Sequence, residues 1–344
     1  MQVVLSMKKD LSSLFYDPWG DVKDSPFFLY IIIGPRGSGK TYGMLKATVT
    51  DKLKFMYVRR TESELKNCCT PSNNPYKSIN TDCNYDVRLF SEGDSYKLME
   101  CSHEEPEFLG LAGALTTFGK FRGSDFSDID YIIMDEFINT APRNSIKPAV
   151  EMDLFFNMVE TVNRNREILG KKSIKIVLLG NSNGISSSGI LTGLRLGEVL
   201  RQMQLNNESL YVDAARGIFL RRVEVPELKE KKKETNLYKL CKGTPYYDMA
   251  IENSFSSENF NLVKKYKQNQ LEPICRYNTI SFYTVKGSDI MYCNYIKNDS
   301  PLFTEDTHKV FMRSWGITIA YYMETMKMRY YDYDLKILVE NIFK

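Results

Sequence analysis

Histidine is almost missing from this chain: His103 and His308 are the two in 344 residues. The seven cysteines (68, 69, 83, 101, 241, 275 and 293) are odd in number and form no C-x-x-C pair. A structural zinc centre and a disulfide framework are therefore excluded as organising principles, and reduced, packed thiols are expected. Long apolar runs are missing too. The longest, residues 27–33, stops at Gly34, far short of the roughly 20 residues a bilayer span needs. The opening MQVVLSMKKDLSSLF lacks the order of basic start, long apolar stretch and small-residue cleavage site that marks a signal peptide. A soluble cytoplasmic protein with no membrane partner is the expectation. Nor is there an excess of one charge: 46 Lys plus Arg against 43 Asp plus Glu leaves +3. Such a chain does not coat nucleic acid by bulk charge, so any such contact must come from local patches.

What is present is an ordinary globular composition, 43% hydrophobic and 26% charged, in a chain long enough for two domains. FFLYIII (27–33) reads as a buried strand and residues 42–50 as a helix. FMYVRR (55–60), residues 131–134 and residues 174–179 read as further strands. Residues 149–169 carry a helical stripe at 154, 155, 158, 159 and 162. Strands alternating with helices predict a parallel α/β sheet. Residues 61–95 are polar and turn-rich and read as an excursion from it. After about residue 205 the pattern changes to strands over 209–228, the charged KEKKKE (229–234), a hairpin over 279–296 and a helical tail over 304–344. The expected divisions are 1–207, a linker subdomain over 208–240, and a smaller α+β domain over 241–344.

Gly34-Pro35-Arg36-Gly37-Ser38-Gly39-Lys40-Thr41 fits G-x-x-x-x-G-K-[ST], a match with a chance frequency on the order of 1% in such a chain. It stands after a strand and before a helix, where backbone N–H groups and a helix N-terminus can cradle phosphate. Lys40 is expected to reach the β- and γ-phosphates of ATP, and the Thr41 hydroxyl to ligate Mg²⁺. Asp135 and Glu136 end an apolar strand, where an acid needs something positive to face. Asp135 is expected on the metal side, with Glu136 polarising the attacking water. Asn181, at the end of the fourth strand, suits a nucleotide sensor or a plain strand cap. Arg164 and Arg166, near the end of the 149–169 helix, are surface cations or an arginine finger. Lys120 and Arg122 face DNA, a neighbour's nucleotide or water, and Arg143 and Lys147 touch DNA or line a solvated loop. Asp125, Asp128 and Asp130 read as a solvated turn, and Lys231-Lys232-Lys233 as a solvated segment more than a nucleic-acid patch.

Taken together, these segments resemble the DNA-packaging ATPases of phi29-like tailed phages. The likeness runs through SLFYDPW (13–19), the phosphate loop with arginine at its third position, FMYVRR, MDEFI (134–138) and ETVNRNRE (160–167). It continues, more weakly, through VEVPEL (223–228) and KGTPYYDMAIENSF (242–255). The resemblance implies a P-loop NTPase domain of the RecA/FtsK-like ASCE type. It also implies a C-terminal domain similar to a ribonuclease-H-like nuclease that has lost its acids, and SFYTVK (281–286) indeed carries none. It further implies a homopentameric ring in the host cytoplasm, at the portal vertex of an empty capsid and absent from the mature virion. That ring drives double-stranded DNA inward by ATP hydrolysis, docked through a packaging RNA or the portal. Arg164 falls on the family's trans-acting arginine finger and Arg122 on a second trans-acting cation. Two positions depart from the family pattern: Asn163 stands where an aromatic is expected, and TESEL after Arg60 is unusually acidic. A helicase or other ring ATPase, and a nucleotide-switched binding module, are the competing readings.

Overall fold

The computed structural model describes residues 14–92, 95–121, 125–138, 146–255 and 257–343. The chain divides into two compact units, Met1–Ile190 with Asn207–Ser257, and Leu191–Asn206 with Glu258–Lys344. The first is built on nine strands: β1 Leu29–Ile33, β2 Phe55–Arg59, β3 Val87–Glu92, β4 Ser95–Glu100, β5 Glu107–Ala114, β6 Tyr131–Asp135, β7 Lys175–Gly180, β8 Leu210–Asp213 and β9 Ile218–Arg222. Their order is β3-β4-β5-β2-β6-β7-β1-β9-β8. From β5 to β9 all neighbours run parallel, and antiparallel strands close both edges. The α/β sheet flanked by helices and the smaller α+β unit expected from the sequence are borne out.

The central strands are apolar along their whole length because helices cover both faces of a parallel sheet. Every residue of β1 and β7 is buried. Parallel strands also end on the same edge. In register, Ile33 of β1 lies opposite Gly180 of β7, Asp135 of β6 opposite Leu179, and Val58 of β2 opposite Met134. The residues that follow Ile33, Val58, Met134 and Leu179 are thus delivered to one place.

Three sequence expectations shift. Part of the 61–95 excursion is in the sheet: β3 alternates buried Val87 and Leu89 with exposed neighbours and pairs antiparallel with β4. The helix expected over 149–169 is Pro148–Asn163. It stops because Arg164 turns to φ +43° and the Asn163 side chain accepts the Ile174 N–H at 3.1 Å. Residues 208–240 are no separate linker: β8 and β9 complete the large sheet and the lysine run is helical, Pro226–Lys233.

The second unit holds β10 Leu271–Tyr277, β11 Ile280–Val285, β12 Met291–Asn294, β13 Leu302–Phe303 and β14 Met328–Tyr330, in the order β13-β10-β11-β12-β14. The expected hairpin is β11–β12, and β14 interrupts the expected helical tail. The helix Gly197–Leu205 belongs to this unit because Asp334 accepts the N–H groups of Gly197 and Glu198, at 2.9 and 3.2 Å, satisfying its free first turn.

One buried ion pair ties β2 to the helix Pro148–Asn163. Arg60 meets the fully buried Glu151 at 2.7 Å, and Glu151 also accepts the Gly189 N–H. Arg60→Met strands that carboxylate in the core and should cost about 3–5 kcal/mol in urea unfolding. Arg60→Met with Glu151→Leu should recover more than half of the loss; a double variant no more stable than the single one contradicts this.

Candidate active site

The loop between β1 and the helix Lys40–Thr50 wraps as its glycines allow. Gly39 sits at φ +99°, and a side chain there would strike the Tyr16 carbonyl at 2.9 Å. Tyr16 N–H donates to the Ser38 carbonyl at 2.9 Å, holding the opening segment against the loop at Tyr16. The loop forms one wall of a cavity of about 870 Å³, with Asp135, Glu136 and Asn181 on the others. Phe15 lines it as well.

Lys40 is buried in this wall. Its ammonium donates to the carbonyls of Gly34 and Pro35 at 3.0 and 2.9 Å, and to Ser38 Oγ and Asn181 Oδ1, both at 3.2 Å. None of these neutral acceptors supplies a counter-charge. Burial pushes the Lys40 pKa down to about 7, against the pull of Asp135 and Glu136. The Thr41 hydroxyl donates to Asp135 Oδ1 at 2.8 Å, so a contact spanning 94 residues of chain closes at the mouth of the loop. Burial raises the Asp135 pKa, and Arg59 and Thr41 oppose that rise.

Arg59, which the sequence reading passed over, reaches both acids. Its Nη1 donates to Asp135 Oδ2 at 3.3 Å and its Nη2 to Glu136 Oε2 at 2.6 Å. Burial works against the Arg59 charge, but Tyr57, Asp135 and Glu136 outweigh it and hold its pKa above the ordinary value. Sheet order supplies the contact: β2 is next to β6, so the arginine ending one strand faces the acid ending the other. The acidic TESEL segment has a local explanation. Thr61 and Glu64 form a capping box on the helix Glu62–Cys68, and Glu64 approaches Arg59 to 4.0 Å.

The other expected residues are spread more widely. Arg36, Gly37, Ser38 and Gly39 line the cavity, and the Gly34 N–H bonds the Gly180 carbonyl at 3.1 Å. Pro35 contributes a carbonyl to Lys40. Arg164 is exposed at the end of its helix, away from the cavity wall, with its Nε donating to the Thr161 carbonyl at 3.2 Å. Arg166 is structural: it is buried and donates to the carbonyls of Phe126, Ser127 and Ile129. Lys120 and Lys147 are exposed. Arg122 and Arg143 lie outside the described residues. Asp125, Asp128 and Asp130 have separate partners, Ser127, Lys54 and Arg166. Among the described residues no group of three or more His, Cys, Asp or Glu side chains is assembled to hold a metal. A Mg²⁺ with one carboxylate, one hydroxyl, waters and substrate phosphates needs no such group, and Asp135 with Thr41 fits that donor set.

The family of Podovirus DNA encapsidation proteins (Gp16) matches residues 9–328. This chain belongs to that family. As a member it is a viral DNA-packaging protein. The DNA packaging protein of Bacillus phage phi29 is 23% identical to it over 260 residues, 74% of this chain and 69% of that one. That of Bacillus phage PZA is equally similar, 23% over 260 residues with the same coverage. Among solved structures, the Phi-28 gp11 DNA packaging motor superposes with a TM-score of 0.61 at 15% identity over 96% of each chain. The bacteriophage Phi-29 viral genome packaging motor assembly superposes with 0.58 at 18% identity, over 96% of this chain and 98% of that one. These likenesses establish the encapsidation protein's fold.

Removing Arg59 should expose its electrostatic role. In Arg59→Met, Asp135 loses its cation and its pKa rises further, so the folded state binds a proton that the unfolded state releases. The stability lost should be about 3 kcal/mol near pH 8 and less near pH 5, because falling pH favours protonation of the unpaired Asp135. Urea unfolding at the two pH values checks this; a loss that is equal at both, or larger at the lower, contradicts it.

Proposed function

We propose that this packaging protein hydrolyses ATP with Mg²⁺ and couples turnover to the movement of double-stranded DNA. The observation that carries the proposal is the Thr41–Asp135 contact under the phosphate loop, with Glu136 one residue further on. ATP enters the cavity with its phosphates against the loop's N–H groups. Lys40 regains its full charge beside them, and Thr41 and Asp135 hold Mg²⁺, which neutralises phosphate charge when bound. Glu136, at φ +53° and more than half exposed, is turned out of the strand toward the cavity, where it orients water. Asn181, hydrogen-bonded to Lys40, is placed to register the terminal phosphate.

The charge on a leaving phosphate is then met by Arg164 from another copy. Its exposure, and its absence from the lining of its own cavity, suit a residue that acts across an interface. The assembly that provides one is a homopentameric ring at the portal vertex, in the host cytoplasm, with the portal and a packaging RNA as docking partners. Arg122 is proposed as a second cation acting in trans. Lys120, Lys147 and Arg143 are the proposed DNA-facing cations. They grip phosphates with little sequence preference and with strong salt dependence. Nuclease activity is not part of the proposal, since β11 carries no acid and Glu272 is the acid of β10.

Glu136→Gln should keep ATP binding within a few-fold and lower DNA-stimulated phosphate release by about 10²–10⁴. Arg164→Ala should lower it by about 10³ or more. Mixing the two variants should restore turnover above the sum of the separate activities, because some interfaces then pair an intact Glu136 with an intact Arg164. A mixture no better than the sum excludes action across an interface. Unwinding of a tailed duplex in place of translocation would favour a helicase.

A further inference from the structure

The lysine run of residues 231–233 does not behave uniformly. Lys229 pairs with Glu252, and Lys233 pairs with Glu230 at 2.7 Å. Lys231 is exposed. Lys232 instead turns from the helix Pro226–Lys233 onto the phosphate loop. Its ammonium donates to the Arg36 carbonyl and stands 3.6 Å from the point where a side chain on Gly37 would begin. Arg36 and Gly37 both line the cavity. The same ammonium lies 5.6 Å over the ring of Tyr238, which is buried and fixes the stem from below.

We propose that Lys232 is a second cation of the nucleotide site, supplied by the same chain, that binds the β- and γ-phosphates and holds the helix Pro226–Lys233 against the loop while they are present. The proposal rests on the nucleotide reading of the cavity. Its logic is a charge count. Two ammonium groups, Lys40 and Lys232, meet one glycine loop, and among the described residues neither has a carboxylate in hydrogen-bonding contact. Burial lowers the pKa of each, and for Lys40 the presence of Lys232 lowers it further. An anion between them removes both penalties. An ammonium has three donors, and the Arg36 carbonyl takes one, so Lys232 can keep its anchor and still bond phosphate oxygen. The helix that carries it then becomes an element whose seating depends on how many phosphates the site holds. A clasp made by Lys232 to the backbone alone would not depend on phosphate number.

Direct binding of ATP (as a non-hydrolysable analogue), ADP and AMP to the full-length protein separates these cases. Lys232→Gln should weaken the analogue and ADP by about tenfold and leave AMP unchanged, as expected for loss of a charge-assisted hydrogen bond. Lys232→Arg should restore most of the difference, and Lys231→Gln, in the same run, should match the wild type. Equal weakening of all three nucleotides by Lys232→Gln, or none, overturns the role assigned to Lys232. Wild-type protein that binds none of the three overturns the nucleotide reading itself, a distinguishable result. A thermal midpoint of Lys232→Gln without nucleotide, close to that of the wild type, shows that the variant folds.

Discussion

Everything at the carboxyl edge of the large sheet depends on one electrostatic imbalance. Among the described residues, Lys40 is enclosed by neutral acceptors, and Asp135 is buried with one shared cation, Arg59. Charges removed from water are costly unless paired, and here the pairing is incomplete within the chain. The proposed phosphate chain with its metal would complete it from both sides. It brings negative charge to Lys40 and positive charge to Asp135. The fold tolerates the imbalance because it is concentrated at the ends of strands that are themselves anchored by continuous apolar packing.

Much of this was legible in the sequence, and the reasons are local. The phosphate loop is read from glycine spacing because glycine adopts positive φ, as Gly37 and Gly39 do at +64° and +99°, at the least cost. The strands β1, β6 and β7 are read from unbroken apolar runs because strands covered on both faces show no alternation. Asp135 stands out as an acid where the run ends. Arg59 was hidden because its meaning lies in sheet order: only when β2 pairs with β6 does the arginine face the carboxylates. β3 was hidden for the opposite reason. As one of the sheet's outermost strands it alternates weakly within a polar stretch, which is also how a loop reads.

The boundary expectations failed where tertiary contacts outweigh local pattern. Arg164 and Arg166 sit in what reads as one helix, yet Arg166 is drawn inward to three carbonyls and the chain turns at Arg164. That turn leaves Arg164 on the surface, the condition for a residue to serve another copy. The lysine run reads as solvent-facing because three adjacent like charges repel. A helix separates them by about 100° each, so one can turn onto the glycine loop at the Arg36 carbonyl while its neighbours find acids or water. Charge runs are thus poorly interpreted without knowing the face each residue occupies.

The central claim concerns the charge of Lys40, and calorimetry reads it directly. Titrating a non-hydrolysable ATP analogue with Mg²⁺ into the protein near pH 8, in buffers of different ionisation enthalpy, counts the protons exchanged on binding. With its pKa held near 7 in the free site, Lys40 is largely neutral at that pH and must take up a proton as phosphates arrive. The account predicts uptake approaching one proton, absent in Lys40→Arg, whose guanidinium stays charged throughout. Heats that do not depend on the buffer in the wild type, or a net release of protons, would contradict it.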